Sequence, residues 1–236
     1  MDGIKVRGLV VGSKVFSEAD KLVSLCTIEN GKITAKLKGC RKAGAKLRYA
    51  AALFLFADFV LCERSGYYLI TECNAIESFP EFSSDIEKFY KAAAIIEFLD
   101  KSTGEAEDIV PSTLLALKAL KKVAEGEKYA LEKYFPEAFS VAGYGLKTEK
   151  CVKCGSSAKN YRVSFLDGGF VCPACGTGEP VTRGVIEWLT GDKDDLEPFE
   201  ERELLGLFGK YFTYVVGKKL NSLAQLINFE NLGDFS

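Results

Sequence analysis

KLVSLCTIENGKITAKLK, residues 21–38, reads as two short strands around a turn. In Ile33-Thr34-Ala35-Lys36-Leu37-Lys38 the odd positions are apolar and the even ones polar, the period-two pattern of a strand with one buried face. Asn30-Gly31 separates this run from Lys21–Ile28. Both residue types tolerate positive φ, so the pair marks a hairpin. Further out, Lys5–Gly12, Leu53–Cys62 and Tyr67–Cys73 read as strands, with a second turn at Ser65-Gly66. Five short strands in about 75 residues suggest a small closed barrel or sandwich.

Helices follow. Ser84-Asp85-Ile86-Glu87 fits a capping box, and Ile86, Phe89, Tyr90, Ala93, Ile96 and Leu99 recur at helical spacing. Pro111-Ser112 opens a second helix, with Leu114, Leu117, Leu120 and Val123 on one side and Gly126 as its stop. A third segment runs from about Glu127 to Ala142. Pro136 should break or restart it, because proline lacks the amide proton. Thr182–Thr190 and Pro198–Gly217 are also helical, the latter with Leu204, Leu207, Phe208, Tyr211, Phe212 and Val215 on one face. The chain therefore reads as α+β and multidomain. Residues 1–80 form the barrel, and residues 81–236 form an all-α domain carrying an insert at 148–180.

That insert holds half of the eight cysteines. Cys151, Cys154, Cys172 and Cys175 follow C-x2-C-x17-C-x2-C, a metal-ligand spacing. Gly155 and Gly176 permit a tight turn after each pair, and Tyr161–Phe165, Asp167-Gly168-Gly169 and Phe170-Val171 read as a hairpin between them. Four thiolates fill a tetrahedral shell and leave no position for water, so the expected Zn2+ is structural. Iron in the same shell and a thiol–disulfide pair are the alternatives. Cys26, Cys40, Cys62 and Cys73 are scattered, as expected of buried free thiols.

The net charge of −2 conceals an asymmetry. Residues 1–50 carry eleven Lys or Arg against four Asp or Glu, and the remainder carries twenty against twenty-nine. Such a split marks a basic binding face on an acidic body. From Asn30 to Ala57 there is no acidic residue, and seven basic ones: Lys32, Lys36, Lys38, Arg41, Lys42, Lys46 and Arg48. Cations without counter-charges point to a polyanion. Lys36, Lys38, Arg41, Lys42, Lys46 and Arg48 are the expected phosphate contacts, with Arg7 and Lys14 beside them. Phe16, Tyr49, Phe54, Phe56, Phe59, Tyr67 and Tyr68 supply rings for core or for bases. Gly39–Lys46 imitates a phosphate loop but fails as one. Ala45 separates Gly44 from Lys46, and Leu47 stands where Ser or Thr would hold magnesium.

Several functions are excluded. With no histidine there is no Ser-His-Asp triad, no Cys-His pair and no H-E-x-x-H helix, and an enzyme is not expected. The longest apolar run, Tyr49–Ala57, is far short of the roughly 20 residues a bilayer demands. The N-terminus lacks the layout of a signal peptide, so a cytoplasmic protein without a membrane partner is expected.

Taken in order, these features resemble the bacterial recombination mediator RecO family. The carriers are Gly8-Leu9-Val10-Val11, Glu18-Ala19-Asp20, Thr27–Lys32, Lys38–Lys42, Phe139–Tyr144, Asp167–Phe170 and Lys219–Ser222. The resemblance spans nearly the whole chain. It implies an OB-fold barrel, a helical domain and a zinc module. It also implies binding and annealing of single- and double-stranded DNA at the nucleoid, loading of recombinase with RecR and single-stranded DNA-binding protein (SSB) as partners, and no nucleotide cofactor. SSB presents an acidic, apolar tail in this context, for which Leu117, Lys118, Lys121 and Lys122 are the candidate receptor. Where the family often has a serine after the basic loop, this chain has Ala45-Lys46-Leu47-Arg48, so the charge remains without the hydroxyl. With an acidic body, the DNA footprint is expected to stay on the barrel. The competing reading is an RNA-binding accessory factor of transcription or translation, built on the same two modules. A scaffold that uses the barrel only for protein contact is the third.

Overall fold

The computed structural model describes residues 3–104, 108–157 and 160–233. Packing divides the chain into two units, Met1–Glu127 and Lys128–Ser236. This division differs from the change of element type near residue 80, because two helices pack with the strands in the first unit.

The first unit is built on β1 (Ile4–Val15), β2 (Lys21–Thr27), β3 (Gly31–Leu37), β4 (Phe56–Arg64) and β5 (Tyr67–Glu77). They close as β1-β2-β3-β5-β4, with β4 returning to β1. β3 and β5 are the parallel pair, matching Ala35 with Tyr68 and Lys36 with Leu69. This is the five-stranded OB-type barrel. Alternation sorts its residues. Val23, Leu25, Ile33, Ala35, Leu37, Phe59 and Leu61 fill the interior, and Thr34 and Lys36 point outward. A bulge between Val10 and Gly12 shifts the register of β1 against β2.

The β2–β3 hairpin differs in detail from a two-residue turn. Thr27 pairs with Gly31, so Ile28, Glu29 and Asn30 form the loop. Only Gly31 takes positive φ (64°). The Thr27 hydroxyl donates to the Gly31 carbonyl (2.7 Å) and accepts from the Asn30 amide (3.1 Å), which holds the longer loop.

α1 (Ile86–Ser102) and α2 (Val110–Glu125) complete this unit. The cap of α1 lies one residue beyond the expected box. Asp85 accepts from the Lys88 amide at 3.0 Å, and the Lys88 side chain, a donor only, cannot accept from the Asp85 amide as a glutamate there would. Gly126 ends α2 in the left-handed region at φ 77°. The Lys88 ammonium donates to the Ala124 carbonyl at 2.8 Å, joining the start of α1 to the end of α2.

The second unit contains α3 (Ala130–Val141), β6 (Arg162–Ser164), β7 (Gly169–Val171), β8 (Glu179–Pro180), α4 (Arg183–Thr190), α5 (Pro198–Val216) and α6 (Asn221–Gly233). Pro136 does not break α3. The proline removes one amide donor, and burial of Leu131, Tyr134, Phe135, Ala138 and Phe139 holds the helix through it. The rings of Phe135 and Phe139 meet Phe208 at 5.5 and 6.0 Å. A full capping box opens α5, between Glu197 and Glu200. α6 lies past the last expected helix.

Phe59 is 1% exposed at the centre of the barrel. Phe59→Ala should destabilise the first unit by about 3–5 kcal/mol through the cavity it leaves. The measurement is chemical denaturation followed by a probe in that unit.

Candidate nucleic-acid interface and thiol cluster

The outer face of β1, β2 and β3 has two halves. At one, Leu9 and Cys26 are fully buried. There the Lys32 ammonium is held by Asp100 of α1, through the carboxylate at 2.8 Å and the carbonyl at 2.6 Å. Burial pushes the Cys26 thiol up to about 12, so it stays protonated. The other half is open. There Lys14 pairs with Leu22 and Leu22 with Lys36, a row across the three strands. Ser24 sits between Gly12 and Thr34 in the next row.

Asp20 organises this open end. Its carboxylate accepts the Gly39 amide at 2.8 Å and pairs with the Lys36 ammonium at 2.9 Å, although the residue is only 8% exposed. These two contacts, the Gly39 amide first, hold its carboxyl below the usual carboxylate range. The β1–β2 turn is thereby tied to the chain leaving β3. The same junction is closed by the Arg41 amide on the Ala19 carbonyl (3.0 Å) and the Arg41 guanidinium on the Ser17 carbonyl (2.9 Å). Arg48 folds back to donate to the Lys42 carbonyl at 2.9 Å. Gly39 and Gly44 take φ of 70° and 72°, which lets the loop turn twice.

The eight expected phosphate contacts separate into two sets. Lys38, Arg41, Lys42, Lys46 and Arg48 are exposed on this loop, Lys14 is exposed beside it, and none is ion-paired among the described residues. Lys36 is engaged by Asp20. Arg7 lies roughly 20 Å back along β1 at ~3.3 Å per residue. Its guanidinium bonds Asp58 at 2.7 and 3.1 Å, and its amide donates to Glu29. Arg7 is cancelled and belongs to another face. Of the rings, Phe54, Phe56 and Phe59 are core, Tyr68 is half-buried, and Phe16, Tyr49 and Tyr67 are exposed. In the sequence Asp20 stands out only as the end of Glu18-Ala19-Asp20. Its bracing role depends on a bond to a residue 19 positions away.

On α2, Leu117 and Leu120 are buried. Lys121 pairs with Glu77 (2.6 Å) and Lys122 with Glu127 (3.1 Å). Leu114, Lys118 and Lys121 are the exposed members of the stripe.

The second candidate site is the thiol cluster. The sulfurs of Cys151, Cys154, Cys172 and Cys175 all lie within 4.8 Å of one another. Cys154 and Cys172 are 3.8 Å apart, which equals the edge of a tetrahedron with ~2.3 Å metal–sulfur bonds, about 3.8 Å. The set could hold a metal ion. The Cys172 amide, at 3.4 Å, pulls the Cys151 thiol down to about 6. The Ser156 hydroxyl, at 2.9 Å, lowers Cys154. Crowding by the other sulfurs pushes Cys175 up to about 12, a conflict a cation would relieve. Gly155 takes φ 70°, whereas Gly176 does not enter the left-handed region. Beneath the sulfurs, Tyr161 stacks on Phe170 at 4.7 Å, over Val163, Ile186 of α4 and Leu207 of α5. The module thus shares a small core with two helices. The other cysteines are free, with Cys26, Cys40 and Cys73 buried and Cys62 half-buried.

An OB-type barrel with one open cationic end, followed by helices bearing a four-thiol cluster, defines a class of nucleic-acid-binding architecture. Residues 1–79 match the family model for the N-terminal part of recombination protein O, and residues 83–224 match that for its C-terminal part. The chain is 28% identical over 236 residues to the DNA repair protein RecO of Acetivibrio thermocellus, covering 98% of this chain and 93% of that one. It is 29% identical over 179 residues to its counterpart in Bacillus pumilus, covering 75% and 70%. It is 30% identical over 177 residues to that of Caldicellulosiruptor bescii, covering 73% and 72%. The chain belongs to the recombination protein O family, and with it to DNA repair. Among the described residues, no helix is long and apolar enough to cross a membrane.

Because the folded Asp20 carboxyl is the stronger acid, its brace contributes above the ordinary carboxylate pKa of ~3.9 and is lost as pH falls through the lower folded value. Hydrogen exchange at the Gly39 amide should therefore remain slow from neutral pH down to about 4. Asp20→Ala should accelerate it at neutral pH.

Proposed function

We propose that this chain is a recombination mediator that holds DNA strands on the open end of its barrel and promotes their annealing. The observation that carries this reading is the loop with exposed Lys38, Arg41, Lys42, Lys46 and Arg48, tied by Asp20 to the end of the barrel. Such cations neutralise backbone phosphates and release counterions, which gives affinity without sequence preference. Two strands with partly cancelled charge repel each other less, and annealing accelerates. No step of this scheme requires bond chemistry. RecR and SSB are the proposed partners, in the cytoplasm at the nucleoid. An SSB contact on α2 would use exposed Leu114 and Lys118, since Leu117 is buried and Lys121 and Lys122 are ion-paired.

The four thiols support structural Zn2+ over iron or a disulfide as the resident group. When bound, zinc supplies a closed tetrahedral brace. The thiols converge as one cluster, not as two disulfide pairs. Titrating purified protein with a four-thiol reagent should release one zinc ion per chain. Release of no zinc would remove this assignment.

If about four to five phosphates are neutralised, log K for single strands should fall against log salt with a slope of roughly −3. Arg41→Glu with Lys42→Glu should bring that slope to roughly −1.5 and slow annealing of SSB-coated complementary oligonucleotides. A slope near zero for the unaltered protein would overturn the proposal. Tighter binding to RNA than to DNA of equal length would favour the RNA-binding factor instead.

A further inference from the structure

We propose that Phe16 is a nucleobase-stacking subsite and that Lys36 is its positioning residue, not a phosphate contact. This inference rests on the single-strand binding proposed above and adds what that binding selects.

Phe16 lies in the β1–β2 turn and is 56% exposed, so packing in the core does not hold its ring. The Lys36 ammonium lies 4.7 Å from the ring centroid, within cation–π range. That ammonium is itself fixed, because Asp20 pairs with it at 2.9 Å and the Gly39 amide holds the same carboxylate at 2.8 Å. The Phe16 amide donates to the Asp20 carbonyl at 3.0 Å, so the backbone carrying the ring is anchored to the same residue. One exposed aromatic ring is thus held by a lysine whose charge is already cancelled.

The surroundings suit a single strand. Exposed Lys14 precedes the ring by two residues on the strand leading into the turn. Arg41, anchored on the Ser17 carbonyl one residue beyond Phe16, brings an exposed guanidinium to the same turn. Phosphates can therefore be held on either side while a base lies against the ring. Every base has a π-face, so stacking tolerates any sequence. A paired base is already stacked on its neighbours and offers no free face. The subsite therefore distinguishes single strands from duplex, which phosphate contacts alone do not.

The test uses the full chain and a single-stranded oligodeoxynucleotide containing 2-aminopurine, whose fluorescence is quenched on stacking. An abasic oligonucleotide and a duplex of equal length are the comparisons. Phe16→Leu, at an exposed position, should leave the thermal melt unchanged and abolish the quench. It should weaken single-strand binding roughly tenfold, leaving abasic and duplex affinities and the salt slope as they were. Phe16→Trp should restore the quench and the affinity. Lys36→Met should reduce both while keeping the salt slope. Equal binding of all three nucleic acids by Phe16→Leu and the unaltered protein would overturn the stacking subsite. A slope shallower by about 0.7 in Lys36→Met would overturn its positioning role, since that is one phosphate contact. If the unaltered protein shows salt-dependent binding while these variants behave as it does, this inference alone fails. A flat salt response of the unaltered protein would overturn the underlying function as well.

Discussion

Closure of the barrel through the parallel pairing of β3 with β5 is the constraint on which the rest depends. Matching Ala35 to Tyr68 and Lys36 to Leu69 completes the ring of strands. It commits Leu37 and Ala35 to the interior and turns Lys36 outward. A slip of one residue would bury lysines and expose leucines, so the core fixes where the charges point. Within the ring, the β2–β3 pairing sets Lys21 opposite Leu37 and so brings the β1–β2 turn against the chain leaving β3. Asp20 can then accept from Gly39, and the basic loop becomes a surface of defined shape.

Charge on this barrel is sorted by carboxylates that are distant in sequence. Asp20 takes Lys36, Asp58 takes Arg7, and Asp100 takes Lys32. Each pairing removes a cation from the field that a polyanion would meet. Of the eight cations read as phosphate contacts, the six that are not ion-paired among the described residues lie on one loop and the adjoining strand. This concentration gives direction to a protein whose overall charge is slightly negative.

The thiol cluster follows a different logic. The Cys172 amide and the Ser156 hydroxyl stabilise thiolates at Cys151 and Cys154, while proximity opposes ionisation of Cys175. Four sulfurs held this close favour a cation among them. The stacked Tyr161 and Phe170, with Ile186 and Leu207 beneath, give the module an apolar floor drawn partly from α4 and α5. A cation held there would brace the same short hairpin as this floor.

Much of this was legible in the residues. Alternation at 33–38, the glycine at position 31, the proline and glycine bounding α2 and the cysteine spacing are local signals, and local geometry obeyed them. Other local signals were overruled. Pro136 stays inside α3 because the buried rings of that helix outweigh one lost hydrogen bond. Leu117 reads as one side of an amphipathic stripe, but only packing shows which side is covered. Along the chain alone one reads the succession of five strands before the helices, the presence of a thiol site and the stretch that carries the cations. Those depend on period, spacing and charge along the chain. Only the tertiary structure decided which cations are free, that Asp20 holds the loop, and that Phe16 stands exposed over Lys36. Each of these depends on a partner brought near by folding, and no pattern along the chain records that proximity.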